Sequence, residues 1–204
     1  MHFTPTLLLL SVVSLLSACI SVPSANLAPS SASQTLNQAH LQHIAKIQYF
    51  SLRGRIGVQT DGKGFSGSLY WQHNASGDDI ALYSPLGGQV ASIKKSAEQI
   101  TLEDANGNSI AANDVETLTQ TTLGWQLPLA GLVDWSLGRP SSSPIQGSTW
   151  DAQGLLTTLH QDDWKIEFQN YAKQNGYLLP SKILLKSDKV NLKLLVETWN
   201  NIGH

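Results

Sequence analysis

The sequence is poor in cysteine, in charge and in long apolar runs, and each shortage excludes something. Its one cysteine, Cys19, cannot form an intramolecular disulfide. Charged residues make up 14% of the chain, against about 25% in proteins generally, so uncharged polar side chains must supply much of the surface. The net charge is −2 and the longest basic run is Lys94-Lys95. Nucleic acid is therefore not expected as a partner, because its binding depends on neutralising phosphates.

One apolar run does occur, near the start of the chain. Residues 7–16 are predominantly apolar; this run is well short of the about 20 residues that cross a bilayer and fits the hydrophobic segment of a secretory signal. It ends in Leu16-Ser17-Ala18-Cys19, which resembles a bacterial lipobox. The resemblance implies that residues 1–18 are a cleaved signal peptide. It also implies that Cys19 carries an S-diacylglyceryl group and an N-linked palmitoyl chain.

The residues around the lipobox bear on the destination of the chain. Ile20, not aspartate, follows Cys19. By resemblance to lipoprotein sorting rules, this implies the outer membrane of a Gram-negative bacterium, with the domain facing the periplasm. An ordinary signal peptide with an incidental cysteine is the alternative. The first six residues, MHFTPT, lack the lysine or arginine that signal peptides usually carry.

Composition divides the rest of the chain into a tether and one domain. Residues 19–35 are uncharged and rich in serine, alanine and proline, which predicts a flexible, lipid-anchored tether for a domain of residues 36–204. Helical spacing predicts a short helix over residues 36–46. His40 and His43 share one face of it, but no third ligand stands nearby, so we expect no metal site.

Most of the domain has the period of β-strands. From Phe50 onward, apolar residues recur at every second position, which is typical of half-buried strands. Asp61-Gly62, Asn106-Gly107 and Asn175-Gly176 are hairpin signals between these strands. The pattern therefore predicts antiparallel pairing of neighbouring strands.

Two short helices interrupt the strands in the middle of the chain. The first is predicted to have Asn113 as its cap and to end at Gly124, and the second to follow Pro128 over residues 129–137. The order of strands, helices and strands predicts a mainly β fold with a single antiparallel sheet. A sheet of about ten strands tends to curl, and the two helices are well placed to fill or cover its interior.

Motifs for catalysis or cofactor binding are weak in this sequence. Residues 62–67 match the dinucleotide-binding pattern Gly-x-Gly-x-x-Gly, but they lie at a hairpin tip instead of opening a helix. No Gly-x-Ser-x-Gly is present, and Asp162-Asp163 fits a turn better than a catalytic pair. We therefore expect neither an enzyme nor a cofactor.

Two positive features remain. Six tryptophans are more than a small core usually needs, and aromatic residues on the inner face of a curled sheet suit either the core or an apolar ligand cavity. Ser84-Pro85-Leu86-Gly87-Gly88 joins two strands and has a leucine at its apex. A proline with fixed φ and two permissive glycines favour a tight connection that turns Leu86 outward, where it could enter lipid.

In their order along the chain, these features resemble the outer-membrane lipoprotein LolB family. The resemblance is carried by the lipobox, Arg53-Gly54, Trp71, Ser84-Pro85-Leu86-Gly87, Asp114 with Glu116, Pro128-Leu129, Trp135-Ser136-Leu137-Gly138, Trp164-Lys165, and Lys193 with Trp199. It covers essentially the whole chain. The Ser/Ala-rich spacer and the short tail after Trp199 depart from the family pattern without touching these features.

The resemblance implies an incomplete, unclosed antiparallel β-barrel with a short α-helical lid around an apolar cavity. It implies a monomer, without cofactor or metal, that accepts lipoproteins by their acyl chains from the periplasmic carrier LolA. The cargo would then pass into the inner leaflet of the outer membrane, with Pro85, Leu86 and Gly87 as the membrane insertion loop. The candidates for lining the cavity are Trp71, Leu82, Leu132, Trp135, Trp164, Phe168 and Trp199.

Other functions are compatible with the residues alone. A lipocalin-like lipoprotein would hold a small apolar ligand without passing it on, and would not require the outward loop at Leu86. A structural or assembly lipoprotein would use the same apolar residues as plain core. A hydrolase would need a reactive serine, for which no motif is present.

Overall fold

The structure is a computed structural model and describes residues 30–204. Cys19, the predicted signal peptide and the tether as far as residue 29 lie outside the described residues. The helices are α1 (Ser31–Ile44), α2 (Val115–Leu123) and α3 (Leu129–Ser136). The strands are β1 (Tyr49–Thr60), β2 (Gly64–Asn74), β3 (Gly77–Tyr83), β4 (Gln89–Lys95), β5 (Ile100–Asp104), β6 (Ser109–Ala112), β7 (Ile145–Trp150), β8 (Leu156–Gln161), β9 (Trp164–Gln174), β10 (Tyr177–Lys186) and β11 (Val190–Gly203).

All eleven strands form one antiparallel sheet in the order β6-β5-β4-β3-β2-β1-β11-β10-β9-β8-β7. The first and last strands pair at its centre, and β6 and β7 are its two edges. Helices α2 and α3 connect those two edges along the chain. The predicted unclosed antiparallel sheet with a short helical insertion is therefore confirmed.

The centre of the sheet depends on a glycine in β1. Alternate residues of this strand are buried, from Phe50 through Gly54 to Val58. The pairing of β1 with β11 shifts register between Arg53 and Gly54. A Cβ on Gly54 would lie 2.1 Å from the carbonyl oxygen of Leu195, so only glycine fits this close approach.

Helix α1 differs from its prediction in both start and packing face. It begins at Ser31, so residues 31–35 of the predicted tether are helical. The Ser30 hydroxyl accepts a hydrogen bond from the Ser33 amide (3.1 Å) and caps the helix. The buried face consists of Ser33, Asn37 and Ile44. An apolar periodicity could not reveal this face because two of its three residues are polar.

Helices α2 and α3 cover the inner face of the sheet. Asp114, not the predicted Asn113, caps α2, and its carboxylate accepts a hydrogen bond from the Thr117 amide (2.6 Å). A carboxylate suits that position because it also faces the positive end of the helix dipole. Gly124 ends α2 with φ 83°, as predicted. Helix α3 buries Leu132 and Trp135 in the same apolar core as both halves of the sheet.

Within residues 30–204, no helix combines the length and apolar character needed to span a bilayer.

Candidate functional site

The connection between β3 and β4 presents a leucine to solvent. Leu86 is 98% exposed, whereas the other exposed large hydrophobic side chains lie between 41% and 51%. The Gly87 amide donates to the Ser84 carbonyl (2.9 Å), and the Ser84 amide donates to the Gly88 carbonyl (2.8 Å). Pro85 occupies the second position of this turn, and Gly87 has φ 87°. The loop is thus a closed turn that cannot fold Leu86 back onto the sheet.

The base of this loop is fixed by the neighbouring strand. Gly67 of β2 approaches the end of β3 so closely that a Cβ on it would lie 2.0 Å from the Tyr83 carbonyl oxygen. Tyr83 in turn packs edge-to-face on Tyr70, with ring centroids 5.4 Å apart. The predicted loop Pro85-Leu86-Gly87 is therefore mounted on rigid strands, which suits a side chain that must meet a surface at a set position.

An apolar pocket opens at the inner side of the same hairpin. It encloses about 320 Å³ and is lined by Lys63, Gly64, Phe65, Leu82, Val90, Leu123 and Trp125. Leu82 and Val90 belong to the two strands that carry the Leu86 loop. Phe65 and Trp125 stack with ring centroids 6.4 Å apart. The pocket therefore has aliphatic and aromatic walls, with the Lys63 side chain at its edge.

Of the seven predicted cavity residues, Leu82 alone lines this pocket. Trp71 and Trp135 are each 1% exposed and lie in the core. The Trp71 indole N–H donates to Asp78 and that of Trp135 donates to Gln161, both at 2.9 Å. These partners anchor the indoles, because a buried N–H without an acceptor is costly.

The remaining four candidates divide between core and surface. Leu132, Phe168 and Trp199 are buried in the core, and Trp199 packs edge-to-face on Phe50 at 5.2 Å between centroids. Trp164 is partly buried, packs against this core and also borders a separate polar groove beside His160 and Lys165. In this conformation the helices fill the inner space, so a cavity lined by these tryptophans remains a prediction.

Trp125 also lines the pocket, although no sequence pattern indicated it. It follows Gly124, which ends α2 in the left-handed conformation. That ending turns the chain back toward the sheet and places the indole against Phe65. The sequence places Trp125 directly after Gly124, but it does not indicate that Trp125 packs against Phe65 of β2.

The two lid helices are held by different contacts. Arg139 follows α3 and donates to the Asp134 carboxylate and to the Ile44 carbonyl of α1, both at 2.6 Å. Helix α2 ends instead at Gly124, where a Cβ would lie 3.2 Å from Nζ of the flexible Lys63 side chain. Burial raises the pKa of Glu116 in α2. Arg139 thus ties α3 to α1, whereas α2 is tied to the segment before α3 by the Leu127 amide, which donates to the Thr119 hydroxyl at 3.0 Å.

Comparisons with known proteins agree with this architecture. Residues 48–199 match the family model described as outer membrane lipoprotein LolB. The outer-membrane lipoprotein LolB of Pseudomonas paraeruginosa is 30% identical over 93% of this chain and 92% of that protein. The LolB of Pseudomonas savastanoi pv. phaseolicola is 29% identical over 97% of this chain and 96% of its own length.

A solved structure supports the fold independently of sequence. A LolA superfamily protein from Nitrosomonas europaea superposes with a TM-score of 0.52 at 8% identity, covering 80% of this chain and 92% of that one. The fold of this chain is therefore similar to that of the Nitrosomonas europaea protein. The family match spans the sheet from the residue before β1 to Trp199 in β11, and the chain belongs to the outer-membrane lipoprotein LolB family.

Proposed function

We propose that this chain receives lipoproteins from a LolA-like periplasmic carrier and delivers their acyl chains to the inner leaflet of the outer membrane. The observation that carries the proposal is the shared hairpin β3–β4. Its inner side supplies Leu82 and Val90 to an apolar pocket, and its tip presents Leu86 to solvent. An acyl chain leaving the pocket would therefore meet the bilayer at the point where Leu86 enters it.

The free energy of an exposed acyl chain explains why these parts should be adjacent. Each methylene transferred from apolar surroundings to water costs about 0.8 kcal/mol, so a long chain exposed in transit would cost on the order of 10 kcal/mol. A pocket that opens beside the membrane-contacting side chain shortens the exposed path. Delivery then proceeds down an affinity gradient from carrier to receptor to bilayer.

The pocket must enlarge to hold a whole acyl chain. Its volume of about 320 Å³ is at the lower end of about 300–1,000 Å³ for small-molecule sites. We take α2 as the element that moves, because its Leu123 lines the pocket and it buries three residues where α3 buries five. Its displacement would extend the pocket from Trp125 toward the core tryptophans named as cavity candidates.

Anchoring completes the proposal. Lipidation of Cys19 would hold the domain at the membrane through the segment that precedes α1, and more than one acyl chain suffices for stable anchoring. We propose that the domain acts as a monomer, since each chain has its own apolar pocket beside its own Leu86 loop.

A two-step transfer assay tests the function. A chain of residues 20–204 contains every described residue and lacks the acyl anchor. Mixed with a LolA–lipoprotein complex, it is expected to take up the cargo, as measured by pull-down, and then to release it to added vesicles. Absence of uptake by the folded chain would refute the proposal. Uptake without release would favour the lipocalin-like alternative of a lipid-holding protein.

Substitution of Leu86 separates the two steps. Leu86→Glu is expected to leave uptake unchanged and to impair release, because a carboxylate does not enter the hydrocarbon of the bilayer. The matched control is Leu178→Glu, since Leu178 is a 42% exposed leucine on β10. Normal release by Leu86→Glu, or an equal loss in both variants, would contradict the role of the loop.

A further inference from the structure

The outer face of the sheet gathers cations that are far apart in sequence. Arg55 (β1), Lys165 (β9), Lys186 (β10) and Lys193 (β11) each lie on a different strand. The strand register places Lys165 directly opposite Lys186, and Lys193 opposite Gly57. Like charges directly opposite one another lower the stability of a sheet, and a bound anion would offset that cost.

Carboxylates neutralise only part of this surface. The Lys165 ammonium lies 2.7 Å from Glu167, and Nε of Arg55 lies 3.9 Å from Glu197. Within residues 30–204, neither Lys186 nor Lys193 has a carboxylate within 4.0 Å. Asp163 and Asp188 lie in an adjoining groove beyond Lys165 and Lys186. The cationic character is therefore strongest at Lys193, which has no such carboxylate neighbour among the described residues.

Two connected grooves run between these cations toward the Leu86 loop. The larger encloses about 610 Å³; its lining includes Lys165, Lys186 and Lys193, the carboxylate of Glu167 and the apolar Leu184. The smaller, of about 230 Å³, is lined by Arg55, Lys193 and Pro85 among others. Both contain Gly57, where an added Cβ would meet no atom within 4 Å. We call the two together the outer groove.

We propose that the outer groove binds the phosphate headgroups of anionic phospholipids and so orients the domain with Leu86 toward the bilayer. This inference deepens the proposed function and rests on it. The lysine and arginine side chains complement lipid phosphates, and the glycine leaves room for a headgroup between the strands. Pro85 belongs to both the loop and the groove lining, so headgroups bound there would lie beside the leucine that enters the hydrocarbon.

Charge on the lipid should then control docking. A basic residue near an anionic membrane surface contributes about fivefold in affinity. Sedimentation of the chain of residues 20–204 with phosphatidylcholine vesicles, with and without phosphatidylglycerol, measures this effect. We expect stronger binding to the vesicles that contain phosphatidylglycerol, declining as salt is added.

The variant Lys186→Gln/Lys193→Gln tests the site itself. It is expected to bind phosphatidylglycerol vesicles roughly 30-fold more weakly, because two basic contacts are lost. The control is Lys46→Gln/Lys173→Gln, which removes the same charge elsewhere. Lys173 is about 27 Å further along β9 than Lys165 at the usual strand rise. An equal loss in both variants would indicate general attraction to the membrane and would overturn the site.

A second variant fills the groove without changing its charge. Gly57→Phe projects into open space, so its fold should persist by circular dichroism while binding to phosphatidylglycerol vesicles falls. Retained binding in this folded variant would overturn the groove as the headgroup site.

Measuring cargo uptake alongside vesicle binding separates this inference from the proposed function. If Lys186→Gln/Lys193→Gln binds vesicles normally but takes up no cargo, the groove docks an acidic protein surface and the lipid inference is wrong. If vesicle binding depends on phosphatidylglycerol and on the two lysines while the unsubstituted chain takes up no cargo, headgroup recognition stands and the transfer function fails.

Discussion

Single residues differ in how far the sequence predicts their position in the structure. The outward position of Leu86 was predicted from the sequence alone, because a proline and a following glycine favour a turn whatever surrounds them. In the structure Leu86 is 98% exposed. The burial of Trp71 and Trp135 in the core was not predicted in this way. Whether an indole lines a cavity or fills the core depends on acceptors such as Asp78 and Gln161, and those come from other strands.

Glycine at position 54 gives a prediction at the residue scale. Gly54→Ala should lower the free energy of unfolding by about 1–3 kcal/mol, because its Cβ would lie 2.1 Å from the Leu195 carbonyl oxygen and the backbone would have to shift. Urea unfolding of the chain of residues 20–204 measures the change.

The control lies three residues further along the same strand. A Cβ on Gly57 would meet nothing within 4 Å, so Gly57→Ala should be neutral or stabilise by up to about 1 kcal/mol. Equal destabilisation by both substitutions would mean that β1 resists any side chain at these positions and that the close approach to β11 is not the cause.

At the scale of elements, local chemistry predicted the ends of α2 better than the packing of α1. Gly124 ends α2 as predicted, and the start is displaced by one residue, from Asn113 to Asp114. Helix α1 packs through Ser33 and Asn37, and the Asn37 amide donates to the Gly154 carbonyl at 2.8 Å. Such a contact spans 117 residues of sequence and leaves no periodic signal.

Helix α2 should respond to pH through Glu116. Burial, the largest cause, raises its pKa above the ordinary glutamate value in the folded chain. The folded state therefore binds the proton more tightly than the unfolded state, and the free energy of unfolding should rise as pH falls through the raised pKa. The gain should level off below the ordinary glutamate pKa.

Comparison with Glu116→Gln isolates this contribution. Urea unfolding at a series of pH values should show the variant to be the more stable at neutral pH, with the difference shrinking as the medium becomes mildly acidic. Glu98→Gln, at an exposed position before β5, serves as the control. A constant difference between the unsubstituted chain and Glu116→Gln across the range would contradict the role of this carboxylate.

For the whole molecule, the hairpin signals and the period of two were enough to predict one antiparallel sheet. They could not predict that β1 and β11 pair at its centre, because a pairing between the two ends of a domain has no local signature. The cationic surface has no local signature either, since each strand contributes only one or two of its cations. As a member of the LolB family, the chain is an outer-membrane lipoprotein facing the periplasm and is not an enzyme, as predicted.

Loading with cargo should change the environment of one tryptophan in particular. Trp125 lines the apolar pocket beneath the Leu86 hairpin, whereas Trp71 and Trp135 lie in the closed core. An acylated peptide added to the chain of residues 20–204 should therefore shift tryptophan emission, and Trp125→Phe should remove most of that shift. Trp150→Phe is the control, because its indole contacts Ser33 of α1 and lies outside the pocket lining.

The outcome distinguishes two sizes of acyl site. Loss of the shift in Trp125→Phe alone means that the chain enters the pocket of about 320 Å³ and displaces α2 only locally. A shift that persists in Trp125→Phe means that the lid has opened onto the core indoles, since the pocket indole is then absent. Such a result would contradict Trp125 as the principal contact, and would require at least Trp71 or Trp135 to exchange its buried neighbours for the acyl chain.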